Sequence, residues 1–256
     1  MLDFKNYFKK FKNEIKNEYF RNASTLDVDN KEIFKLALNL GYRDAQRTFI
    51  KINEKVWSKD GAKDEFYNKF SVELQKLFKN KTFFSPEPLF DDFIKFFQSH
   101  GYAVTYGQAQ KVINMAFKYL YCLDTKKNYK DIFEKCHMPL DSYTLEWYKR
   151  HIYPIDKTKN FKITSNDKWS NMDPQKYQAI TNDIKLHLQY TSITINGVKE
   201  DLPQTPLETE FIIWQEEIMN QTVATFNKAI DKKYNKTDDY RKMLNDTEQY
   251  INQLKR

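Results

Sequence analysis

The sequence predicts an all-α fold: a multi-helix globular domain with a central buried helix and one small β-hairpin. Three observations carry that prediction. Only five glycines stand in 256 residues, too few turn residues for a sandwich or barrel and none arranged as a phosphate-binding loop. Apolar residues recur at helical spacing in nearly every segment. Hydrophobic residues make up 40% of the chain and aromatics 16%, enough to bury a core without disulfide staples and too many for intrinsic disorder. A charged fraction of 30% with no apolar run near about 18 residues excludes a membrane-spanning helix.

Taken in order, Phe4, Tyr7, Phe8, Phe11 and Ile15 fall on one stripe of a helix over 3–22. A polar break follows at 24–30. Ile33, Leu36, Ala37 and Leu40 mark a second helix over 29–40, with Gly41 as its C-terminal stop and a third helix over 43–57. Phe66, Phe70, Leu74, Leu77 and Phe78 give the next, up to Lys79, and Ser85-Pro86-Glu87-Pro88 opens one that runs to Phe97 and ends at Gly101. Between 105 and 123 the apolar residues cover most of the helix circumference, the mark of a central, buried helix. A short helix at 129–135 follows, Asp141 caps another to His151, and 154–172 reads as a loop or extended connection. Asp173-Pro174 caps a helix to Tyr190. Ile193 and Ile195 alternate before Asn196-Gly197, a hairpin signal at 191–198, and two long helices over 208–231 and 238–254 complete the chain.

Charge is uneven. Residues 1–170 hold 31 Lys and Arg against 22 Asp and Glu, whereas residues 171–256 hold 11 against 13. We therefore expect a basic helical domain over 1–170 with a nucleic-acid face, and a helical C-terminal lobe over 171–256 packed on it. A lysine-rich, compositionally biased genome explains the same surplus. The first twenty residues lack an apolar core and a small-residue cleavage site, so no signal peptide is expected and Cys122 and Cys136 are placed in a reducing cytoplasm.

Within the buried 105–123 helix, Gly107, Lys111, Asn114 and Lys118 follow at i, i+4, i+7 and i+11, one narrow polar line. A lysine buried without a partner costs several kcal/mol, so this line must face solvent, an acidic partner or a cleft. On a cleft wall a desolvated lysine acts as a nucleophile. Downstream, Asp141 at a helix start is held ionised by the backbone dipole, where it is either a plain cap or a proton-managing carboxylate.

Phe117-Lys118-Tyr119 followed by Met138-Pro139-Leu140-Asp141-Ser142 resembles the pattern of helix-hairpin-helix DNA glycosylases, particularly the archaeal 8-oxoguanine glycosylases, over residues 105–147. That resemblance implies base excision, with Lys118 as the Schiff-base lysine, Lys111 as its substitute and Asp141 as the acid–base partner. It departs from the family in its hairpin, reduced here to Tyr106-Gly107. The stretch Gly107–Lys111–Asn114–Lys118 also resembles a group of bacterial proteins to which no activity attaches. Around the Lys118–Asp141 pair, Lys111, Asn114, His137 and Tyr106 are the expected substrate contacts, and Lys126, Lys127 and Lys130 the contacts to the DNA backbone. The alternative is a non-enzymatic defence or counter-defence protein that binds nucleic acid or a protein partner.

No cofactor is called for. Cys122, Cys136, His137 and His151 lack the C-x-x-C spacing of a zinc site. No arginine precedes a histidine at the interval used by helical RNases, and no Ser/His/Asp elbow or Walker sequence is present. Trp169 and Trp214 lie beside helix starts, as packing anchors or as platforms for an unstacked base.

Overall fold

The computed structural model describes residues 4–20, 23, 25–49, 61–82, 85–124, 126–153, 163, 167–190, 192–195, 198–201, 205–234, 245 and 249. Among them the helices are α1 (Phe4–Tyr19), α2 (Lys31–Ala45), α3 (Ala62–Asn80), α4 (Glu87–Ser99), α5 (Tyr106–Leu123), the single turn α6 (Lys130–Phe133), α7 (Ser142–His151), α8 (Pro174–Tyr190) and α9 (Pro206–Tyr234). Short 3₁₀ turns stand at Gln46–Thr48 and Trp169–Asn171. One antiparallel hairpin joins β1 (Ser192–Ile195) to β2 (Val198–Asp201), with Ile193 opposite Glu200 and Ile195 opposite Val198. No helix among the described residues is long and apolar enough to cross a membrane.

α5 is the axis of the fold, and all eighteen of its residues are buried. Its start is fixed by a capping box: the Thr105 hydroxyl accepts the Gln108 N–H at 3.1 Å while the Gln108 side chain accepts the Thr105 N–H at 2.9 Å. Helix α2 lies against it at a backbone contact. A Cβ on Gly41 would come within 2.4 Å of the Val112 carbonyl oxygen, so α2 approaches α5 as closely as it does only because no side chain intervenes. This corrects the expectation that Gly41 stops the helix; α2 continues through it to Ala45. The rest of the helix expected over 43–57 lies largely outside the described residues, as does nearly all of the one over 238–254.

On the N-terminal side, α3 and α4 add a phenylalanine wall. Phe66 meets Phe70, Phe93, Phe96 and Phe97 at centroid distances of 5.1 to 6.0 Å, and all five are at least 96% buried. Each such ring contributes roughly 1.5–3 kcal/mol by leaving water. On the other side, α7, α8 and α9 close over α5, and α1 packs along both α5 and α9. A single buried cluster runs from Ile15 to Ile213, so the segments 1–170 and 171–256 share one core.

Candidate functional site

The polar line on α5 is the seam along which the C-terminal helices dock, each meeting one of its members. Lys111 Nζ donates to Asp141 Oδ2 at 2.6 Å, at the head of α7. Asn114 Nδ2 donates to the Tyr177 hydroxyl of α8 at 3.0 Å. Lys118 Nζ lies 2.5 Å from Glu210 Oε2 of α9. The side chains of Lys111 and Asp141 are 6% and 11% exposed, those of Lys118 and Glu210 4% and 1%. The lysines face acidic partners, not solvent, and the expected Lys118–Asp141 pair is corrected: Lys111 takes Asp141, and Glu210, absent from the expected set, takes Lys118. The cause is register, since Lys111 lies two turns nearer the start of α5, where α7 begins.

Asp141 is also the N-cap of α7. Its Oδ1 accepts the Tyr143 and Thr144 N–H groups at 2.9 and 3.0 Å, which with Lys111 holds its carboxyl below the ordinary range even though burial alone pushes it up. Burial pushes the Lys111 ammonium down, yet Asp141 and Glu210 outweigh it and the net shift is upward. For Glu210 burial wins over Lys118 and Lys111, and its carboxyl rises. Lys111 is thus held as a cation, the opposite of what an attacking amine needs.

Gln110 positions the aspartate. Its side chain donates to the Leu140 carbonyl at 2.7 Å and accepts the Leu140 N–H at 3.1 Å, clamping the residue before Asp141 like a strand partner. Asn114 Nδ2 donates to Gln110 Oε1 as well. Tyr177 then links onward to His137, whose Nδ1 lies 2.9 Å from its hydroxyl and whose Nε2 accepts from Lys185 Nζ at 2.9 Å. Asn114 and His137 are therefore linked through Tyr177, whereas the expectation set both in one cavity with a Lys118–Asp141 pair. His137, Met138, Thr181, Ile184, Lys185 and Pro206 meet here along a packed seam with no room for a water molecule. Burial and the Lys185 ammonium depress His137 to about 4, against a smaller pull from Glu87.

Other expected contacts are placed differently. Tyr106 is buried in the core, its ring edge-on to Phe90 and Tyr177 at 5.5 and 5.4 Å. The Gly107 N–H donates to the Met172 carbonyl at 3.1 Å, and a Cβ there would strike the Trp169 carbonyl oxygen. The hairpin amide that a phosphate would use is committed inward. Cys136 packs against α6, its thiol pushed far up by burial, and His151 stacks on Trp147 at 5.6 Å, away from His137.

The chain matches no family model, no curated protein and no solved structure.

Lys126, Lys127 and Lys130 are exposed, on the turn between α5 and α6. Lys130 pairs loosely with Glu134 at 3.2 Å. The turn is built by Asp124, whose two carboxylate oxygens accept the Asn128 and Tyr129 N–H groups at 2.9 and 3.0 Å and so are spent on the backbone. Lys127 sits at φ 54, a left-handed conformation that a lysine pays about 1 kcal/mol to adopt. Helix α1 adjoins this turn: Lys12 lies 4.2 Å over the Tyr121 ring at the end of α5, lowered chiefly by burial and least by the Lys127 charge, with Asp124 and Glu208 pulling it the other way. Lys9 and Lys16 share its face at i−3 and i+4.

Two buried carboxylates of α9 carry a signal in the sequence. Leu207, Glu210, Phe211, Trp214 and Glu217 recur at helical spacing, so Glu210 and Glu217 are carboxylates on an apolar face, and both are buried. Gln110 and Tyr177 gave none, because a glutamine or tyrosine on a helix is ordinary on either face.

Proposed function

We propose that the protein acts by binding nucleic acid, through an electrostatic surface made of α1 and the turn that carries Lys126, Lys127 and Lys130. The supporting observation is where the charge lies. The buried cluster holds two lysines and two carboxylates whose formal charges cancel, so the chain's net +7 is carried outside it. Part of it converges where Lys12, set beside the Asp124 and Glu208 carboxylates, brings the face of α1 toward Lys127, while Lys126, Lys127 and Lys130 themselves stand exposed. Phosphate contacts from such lysines give affinity without sequence preference and with steep salt dependence. A role in defence or counter-defence, in a reducing cytoplasm where the two buried thiols stay free, fits a protein that works by occupancy. Titrating a labelled oligonucleotide at about 50 and about 200 mM salt tests this: affinity falls by orders of magnitude between the two. Absence of binding at the lower salt, or affinity flat in salt, overturns it.

A second reading, base excision, is favoured by one contact: an amine 2.6 Å from a carboxylate at a helix start. In that chemistry Lys111, not Lys118, is the nucleophile, and Asp141 receives its proton before attack. The upward shift of Lys111 and the near-complete burial of the pair stand against it. Borohydride trapping on abasic duplex DNA separates the two readings: a covalent adduct lost in Lys111→Gln supports excision, and no adduct under conditions where the duplex binds leaves binding alone.

A further inference from the structure

We propose that Trp214 and Tyr143 form a stacking platform for an unpaired base, so that single-stranded nucleic acid binds in preference to duplex; this rests on the nucleic-acid reading above and names its substrate class.

Trp214 lies on α9 beside the Lys118–Glu210 pair. One face of its indole is turned to the Lys118 ammonium, 5.6 Å from the ring centroid. Its edges meet Phe11 of α1 at 6.3 Å and Tyr143 of α7 at 6.0 Å, with interplanar angles of 64° and 73°. The groups behind it, Lys118, Glu210 and Phe211, are all buried, whereas Trp214 and Tyr143 are partly exposed. The indole is thus backed by Lys118 and flanked by the tyrosine ring, with both aromatic residues reaching the surface. Trp147, in contrast, is buried between His151 and His187 and acts as a packing anchor.

Two features select the occupant. Phe11 anchors α1 to Trp214, and the residues just before it, Lys9 and Lys10, are exposed, Lys10 in a loose 3.8 Å contact with Glu14; they are the cations on α1 nearest in sequence to this anchor. The face toward Lys118 already carries a cation, which disfavours a quaternary ammonium or other cationic ligand, whereas a neutral base can stack on the outer face. Stacking of this kind tolerates any base and requires it to be unpaired.

The test uses the full chain and one oligodeoxyadenylate of about 15 nucleotides, alone and annealed to its complement. The single strand is expected to quench tryptophan fluorescence and to bind more tightly than the duplex. Trp214→Leu should remove the Trp214 share of the quench and lower single-strand affinity about fivefold to 100-fold, with duplex affinity unchanged. Trp214→Phe, which keeps an aromatic face, should recover most of that loss, and Tyr143→Leu should show a smaller loss of the same kind. Should Trp214→Leu weaken both forms equally, or neither while Trp214→Phe is equally silent, the platform is wrong and the binding surface stands. If neither form binds at about 50 mM salt, the nucleic-acid reading itself fails.

Discussion

Two lysines and two carboxylates share the interior, and removing one of them is a different experiment from removing a pair. Lys118→Met leaves Glu210 buried without its cation and should cost about 3–5 kcal/mol, whereas Lys118→Met with Glu210→Leu should recover most of that loss because neither charge then remains to be desolvated. Urea unfolding of the two variants checks this, and a double variant no better than the single one shows that the pair contributes more than it costs to bury. Asp141 gives a pH signature. Its carboxyl is depressed in the folded state, so its stabilisation is complete above the unfolded value of about 3.9 and disappears as pH falls through the lower folded value. The gap in stability between the wild type and Asp141→Asn should be constant near neutrality and close below about pH 4. Glu210, pushed the other way, should show no such loss on acidification.

At the level of elements, the close approach of α2 to α5 makes Gly41 a packing residue. Gly41→Ala forces the two helices apart against the Val112 carbonyl and should lower stability by about 1–3 kcal/mol in thermal or chemical unfolding. Were Gly41 merely a helix terminator, alanine would be neutral or stabilising. That misreading shows what the sequence leaves open: a glycine with helical φ inside a helix and a glycine just past its end look alike until a second backbone is placed beside it. Caps were legible because their partners are local. Asp141 and Asp173 each accept an N–H two or three residues on, and the all-round apolar pattern of α5 did foretell its burial. Pairing across elements was not legible, since Lys111 and Lys118 stand on one line and only the docking of α7 and α9 decides which carboxylate each receives. Proximity in sequence favoured Asp141 for Lys118; the register of α7 against the start of α5 gave Asp141 to Lys111.

For the molecule as a whole, stability and binding should separate cleanly, because the charges that hold the core together are not those that face outward. Lys127 lies where the two can be set against each other. Its left-handed backbone is one that glycine adopts freely, so Lys127→Gly should be neutral to about 1 kcal/mol more stable in unfolding experiments, even though it removes an exposed cation. If the surface formed by α1 and this turn contacts phosphates, the same change should lower the slope of log affinity against log salt by up to about 0.9. A triple variant, Lys9→Gln with Lys126→Gln and Lys127→Gly, should lower it by up to about 2.7, with folding intact. Lys95 and Lys149 offer the control, as they lie outside this surface and already have carboxylate neighbours, at 3.8 and 2.8 Å. Their glutamine variants should leave the slope unchanged. A slope that responds equally to both sets would mean that net charge alone attracts the nucleic acid, with no defined face. A slope that responds to neither would remove α1 and the Lys126–Lys130 turn as the contact surface.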